Sequence, residues 1–112
     1  MSKAWDDKAR DWISSLDHEW GASDGFFAKA REGIFDRPRG EAVYELLKSI
    51  QLPDQDELDR KLERKLVSRL WMIPAFLAWQ EHRVAHRRGD VQSYGVLKVR
   101  ITEAIDRILN VP

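Results

Sequence analysis

Apolar positions recur along the chain with the spacing of an α-helix, not the alternation of a strand. Trp5, Ala9, Trp12, Ile13 and Leu16 fall on one helix face, and Ser2 can cap that helix. Asp17-His18-Glu19-Trp20-Gly21-Ala22 reads as a loop. Ser23 or Asp24 can then cap a short second helix carrying Phe26, Phe27 and Ala30, which Gly33 ends in the left-handed region. Asp36-Arg37-Pro38-Arg39-Gly40 has the composition of a turn. A third helix over roughly 40–51 places Val43, Leu46, Leu47 and Ile50 on one side, and Pro53 stops it.

Asp54 with Glu57 resembles a capping box and opens a fourth element. Leu58, Leu62, Leu66 and Leu70 recur every four residues among charged neighbours, a narrow apolar stripe on a wet helix. From Leu70 to Trp79 the chain turns apolar on all sides, and a helix that is greasy all round is buried all round. This segment is therefore expected to run through the middle of the domain, with Trp71 and Trp79 in the core. Pro74 must kink it or open a new helix in its first turn. The segment becomes polar again from Gln80 and ends at Gly89. Asp90 can cap a last helix, roughly 91–109, with Tyr94, Leu97, Ile101, Ala104, Ile105 and Ile108 as its stripe. No hairpin signal and no internal repeat interrupts the series. The expected fold is all-α: residues 1–112 as a single-domain irregular bundle of five to six helices around a central, Pro-interrupted helix.

A chain of 112 residues suits one domain and can bury a core without staples. The absence of cysteine excludes a disulfide framework, thiolate metal sites and cysteine nucleophiles. Hydrophobic content of 43% beside 34% charged residues fits a globular chain. The N-terminus is charged and lacks the apolar core of a signal peptide, and the run from Leu70 to Trp79 falls short of the about 20 residues needed to cross a bilayer. No membrane association and a bacterial cytoplasmic location are the default expectation.

Formal net charge is zero, which argues against a generic polyanion binder. The zero conceals a gradient. Residues 1–57 hold 8 basic and 13 acidic residues, and residues 58–112 hold 11 and 6. The plain interpretation is that oppositely charged helices pack side by side.

Candidate chemistry is sparse. His82 and His86 share a helix face, and with Glu81 or His18 they are the one metal-site candidate. The metalloprotease spacing is absent, and Arg83, Arg87 and Arg88 would repel a dication. Solvated histidines at a helix end explain them more simply, so no metal and no cofactor are expected. Nucleophile elbows and phosphate-cradling glycine loops are missing. Carboxylate pairs such as Glu41 and Glu45 lack the further acids of a di-metal bundle.

Two surfaces remain. Trp20 with Asp17, His18 and Glu19 can anchor a protein partner, or Trp20 can fold back as a lid on the core. Arg83, Arg87 and Arg88 form a second partner-binding candidate. Arg60, Lys61, Arg64, Lys65 and Arg69 can track a nucleic-acid backbone, although Asp56 and Glu57 stand one turn before Arg60 and Lys61 and answer part of that charge. No motif ties the chain to a family. The expected function is a small non-enzymatic interaction module that binds and occludes a larger protein. A toxin-neutralising immunity protein facing a basic partner such as a nuclease is the concrete form. A nucleic-acid-contacting accessory subunit and a small helical metal protein are the alternatives, and a homodimer is compatible with each.

Overall fold

The computed structural model of the chain describes residues 3–52 and 60–109. Among them it is all-α: α1 Lys3–Gly21, α2 Phe26–Arg31, α3 Arg37–Ser49, α4 Arg60–Leu70, α5 Ile73–His86 and α6 Val91–Leu109. Four long helices of 13 to 19 residues, α1, α3, α5 and α6, carry the architecture, and α2 and α4 are shorter. The expectation of an all-α fold holds, and the five to six helices expected are corrected to four main helices with two shorter ones. The domain is a slab of 49 × 31 × 19 Å. In it α6 packs on α3 and α5, α1 packs on α4 and α2, and α2 reaches across to α5. The expected caps at Ser2 and at Asp54 with Glu57, the stop at Pro53 and the first stripe position Leu58 lie outside the described residues.

Periodicity sets the inward faces of most elements. Ala9, Trp12, Ile13 and Leu16 of α1 are buried, as are Val43 and Leu47 of α3 and the whole expected stripe of α6. Tyr94 locks α6 to α5 by donating its hydroxyl to the Leu77 carbonyl at 2.6 Å. Gly40 explains the close approach of three helices, because a Cβ there would collide with Leu97 of α6 and with Phe26 of α2. Gly33 takes φ +79. It closes α2 with paired bonds from Gly33 N to Ala30 O and from Ile34 N to Lys29 O.

The two charge halves meet inside the domain. Arg69 donates to Asp17 at 2.7 Å, and Arg100 donates to Glu41 at 3.1 Å while lying 4.2 Å over the Tyr44 ring. The charge gradient therefore resolves in part into contacts between neighbouring helices.

Four expectations are overturned. The segment from Asp17 to Gly21 is the last turn of α1, not a loop. No strong breaker precedes Gly21, and Trp20 and Glu19 gain tertiary partners by staying helical. The turn proposed at 36–40 is the start of α3. Asp36 caps it by accepting from Arg39 N, and Pro38 sits in the first turn, where its missing N–H costs nothing.

At Pro74 the second of the two expected outcomes holds: Trp71 and Met72 separate α4 from α5, and Pro74 sits in the first turn of the new helix. The segment is, however, not buried all round. Leu70, Ile73, Phe76 and Leu77 point inward, whereas Trp71 and Trp79 are 63% and 60% exposed. The cause is geometric: among the described residues α5 packs chiefly on α2 and α6, and Trp71 and Trp79 remain exposed outside those contacts.

Finally, α5 ends at His86, before Gly89. Arg88, at φ +59, occupies the left-handed position, with Gly89 N bonded to Val84 O and Arg88 N to Ala85 O.

Candidate functional site

Residues 17–20 are held by the fold. The Glu19 side chain is almost buried, with the residue 8% exposed. Its Oε1 accepts from Phe26 N at 2.8 Å, so α1 caps α2, and both carboxylate oxygens accept from Arg39 Nε of α3. That hydrogen bond holds the Arg39 guanidinium pKa above its ordinary value. Asp17 takes the bond from Arg69 noted above, and His18 Nε2 lies 3.1 Å from Asp24. Trp20 stacks on Phe27 at 4.3 Å between ring centres and meets Phe76 edge-on at 4.7 Å. It is half-buried, a lid on the core. The first candidate patch thus has its two carboxylates engaged and its aromatic ring packed inward.

The basic residues of α4 divide. Arg60 is the first residue of α4. Arg69 is spent on Asp17. Lys61, Arg64 and Lys65 are exposed, with no ion pair among the described residues. A small notch of about 240 Å³, lined by Asp17, Trp20, Ser68, Arg69 and Met72, lies beside the break between α4 and α5.

The outward face of α5 is the feature that reasoning from composition missed. Ala75, Ala78, Trp79, His82 and His86 are all exposed and share one side of the helix, and exposed Trp71 directly precedes it. That face carries no carboxylate and no lysine. Its signal was present in the sequence: inward positions 73, 76, 77, 80 and 84 follow the helical period and leave the remainder outside. Counting apolar residues hid this, because Trp71 and Trp79 raise the hydropathy of both sides alike. Gln80 falls on the inner side, 8% exposed, and its Oε1 has no hydrogen-bond partner among the described residues.

At its C-terminal end this face runs into an open groove of about 450 Å³ lined by Arg31, Glu32, His82, Arg83, His86 and Arg87. Arg83 donates to the Arg31 carbonyl at 3.0 Å, and Arg87 and Arg88 are exposed. The two histidines find no third ligand: Glu81 bonds Lys98 at 2.9 Å, His18 sits by Asp24, and no metal-holding group of three exists among the described residues. Among those residues, no helix is long and apolar enough to cross a membrane.

Comparison of the chain with protein-family models, curated proteins and solved structures finds no match.

Proposed function

We propose that this protein is a non-enzymatic interaction module that binds and occludes a larger protein partner through the outward face of α5. The observation that carries the reading is the exposure of Trp71 and Trp79, 63% and 60%, beside the small residues Ala75 and Ala78. Tryptophan dominates binding hot spots because it buries a large rigid area at low entropic cost. Leaving two such rings in water on a face without carboxylate or lysine has no benefit to the folded chain alone.

The partner's contact surface is apolar at its centre and acidic where it meets Arg83 and Arg87. The expected basic partner loses support, because Asp17 and Glu19 are engaged by Arg69 and Arg39. A cytoplasmic antagonist of a toxin is the concrete form, acting by covering the toxin's working surface. The deciding experiment places a photo-crosslinking residue at 79 or, as control, at exposed Lys8 in cells of the source organism. Expected is one discrete adduct from position 79 that disappears when Trp71 is changed to Ser. Identical adducts from both positions, or none from 79, refute the proposal.

A second reading rests on Lys61, Arg64 and Lys65, whose charges no acid answers among the described residues. These fit contact with a phosphate backbone, with a log–log salt slope of about −3 for three contacts. No binding of DNA or RNA at low salt removes it.

A further inference from the structure

We propose that the groove between the C-terminal ends of α2 and α5 is a binding site for a phosphomonoester dianion. Its lining gathers three arginines, Arg31, Arg83 and Arg87, and two histidines, His82 and His86, with a single acid, Glu32. Arg83 and Arg87 stand one turn apart, a spacing at which like charges repel.

Two ordinary reasons for cations at helix ends account for little of this set. The first is capping, since Lys and Arg often satisfy the last carbonyls. Here backbone amides already do so. At α5, Arg87, Arg88 and Gly89 donate to Arg83, Ala85 and Val84; at α2, Glu32, Gly33 and Ile34 donate to Lys29 and Ala30. Among the described residues only the Arg83 side chain caps here, on the Arg31 carbonyl. The second is ion pairing. No ion pair among the described residues engages Arg31, Arg83 or Arg87, and Glu32 pairs with none of them. Apart from the Arg83 bond to the Arg31 carbonyl, the groove thus concentrates arginines that no acid engages among the described residues.

Its frame is fixed. Gly33 is pressed against α5 so closely that a Cβ would lie 2.6 Å from the Arg83 carbonyl oxygen and 3.1 Å from Arg87 Cγ. The α2 end therefore sets the position of the Arg87 stem before any ligand arrives. The groove volume, about 450 Å³, lies within the range of roughly 300–1,000 Å³ of small-molecule sites.

Arginine selects the chemistry. Its planar fork matches phosphate oxygens in pairs, and a phosphomonoester offers three terminal oxygens and nearly two charges. A metal ion is disfavoured here by the surrounding guanidinium charge. The groove adjoins the docking face and shares His82, His86, Arg83 and Arg87 with its C-terminal end, but phosphate binding needs neither Trp71 nor Trp79, so either proposal can fail without the other.

The test is a titration of the isotope-labelled protein followed by NMR of arginine Nε–H signals. The probes are inorganic phosphate, adenosine monophosphate, adenosine, and a short single-stranded DNA with or without a 5′-phosphate. Expected are saturable shifts at Arg83 and Arg87 with inorganic phosphate and adenosine monophosphate, and none with adenosine. A further gain specific to the 5′-phosphorylated strand would identify a nucleic-acid end as the source, and its absence a free metabolite. The paired change R83Q with R87Q should lower phosphate affinity by about tenfold or more, while K8Q, at an exposed lysine of α1, leaves it unchanged. R31Q is the second variant should the pair perturb folding. Equal response to adenosine and its monophosphate, or undiminished binding in both groove variants, overturns the proposal.

Discussion

The Arg39 guanidinium grips both oxygens of the Glu19 carboxylate, at 2.9 and 3.0 Å, while one of those oxygens also receives the Phe26 amide. One side chain from the end of α1 therefore fixes the start of α2 and the first turn of α3. Glu19→Ala removes a cap and leaves Arg39 without its acid. The expected loss is about 2 kcal/mol, below the full penalty for a buried pair because Arg39 is a third exposed. Glu19→Gln keeps one acceptor and should lose about half of that. Urea denaturation measures both, and a cycle with Arg39→Ala isolates the coupling.

Arg88 holds a left-handed backbone that disfavours any residue with a Cβ. Arg88→Gly is expected to raise stability by about 1 kcal/mol through relief of that strain. An unchanged or lower urea midpoint would show that the arginine side chain compensates locally.

Gln80 points a carboxamide oxygen into the core with no donor facing it among the described residues. Gln80→Met keeps the shape and removes the unsatisfied group, so stability should rise by about 1 kcal/mol. Thermal unfolding of the single variant is sufficient to read this.

Burial pushes the Tyr94 hydroxyl above its ordinary pKa of 10.0, and the nearby charge of Glu81 pushes it further. The folded state therefore favours the neutral phenol. Its contribution is fully present below about pH 10 and is lost as pH rises further, because the unfolded chain ionises first. Wild-type protein should lose stability steeply above pH 10, and Tyr94→Phe should flatten that decline. At neutral pH the same change costs about 1 kcal/mol through the lost bond to Leu77.

Trp71 and Trp79 lie outside the core. Their joint replacement by Ser should leave unfolding free energy within about 0.5 kcal/mol of wild type. Trp12→Ala, at a buried position, should cost about 3 kcal/mol. Guanidinium denaturation separates the two classes directly.

The helical period of α6 and α1 was legible because each has one wet side and one dry side, and the pattern reports that difference residue by residue. The capping chemistry of Asp90 was equally plain, and its carboxylate accepts from Ser93 N at 3.0 Å. The end of α1 was not legible. Asp17, His18 and Gly21 are each compatible with a loop, and helix wins there through contacts to Phe27, Phe76 and Arg39 that lie far along the chain. Trp79 was misplaced for a related reason: hydropathy states what a residue prefers, not whether a neighbouring helix arrives to cover it. The groove at α5 joins residues some 50 positions apart, such as Arg31 and Arg83, and only the packing of α2 on α5 brings them together.

The unequal surroundings of the five indoles give this chain a built-in optical signature. Trp20 sits in an aromatic stack and Trp12 in the interior, so their fluorescence is expected to lie to the blue. The exposed rings at 71 and 79 are expected to emit at the red edge and to be quenched by acrylamide. Selective loss of the red, quenchable component would mark occupation of that face without any label being attached.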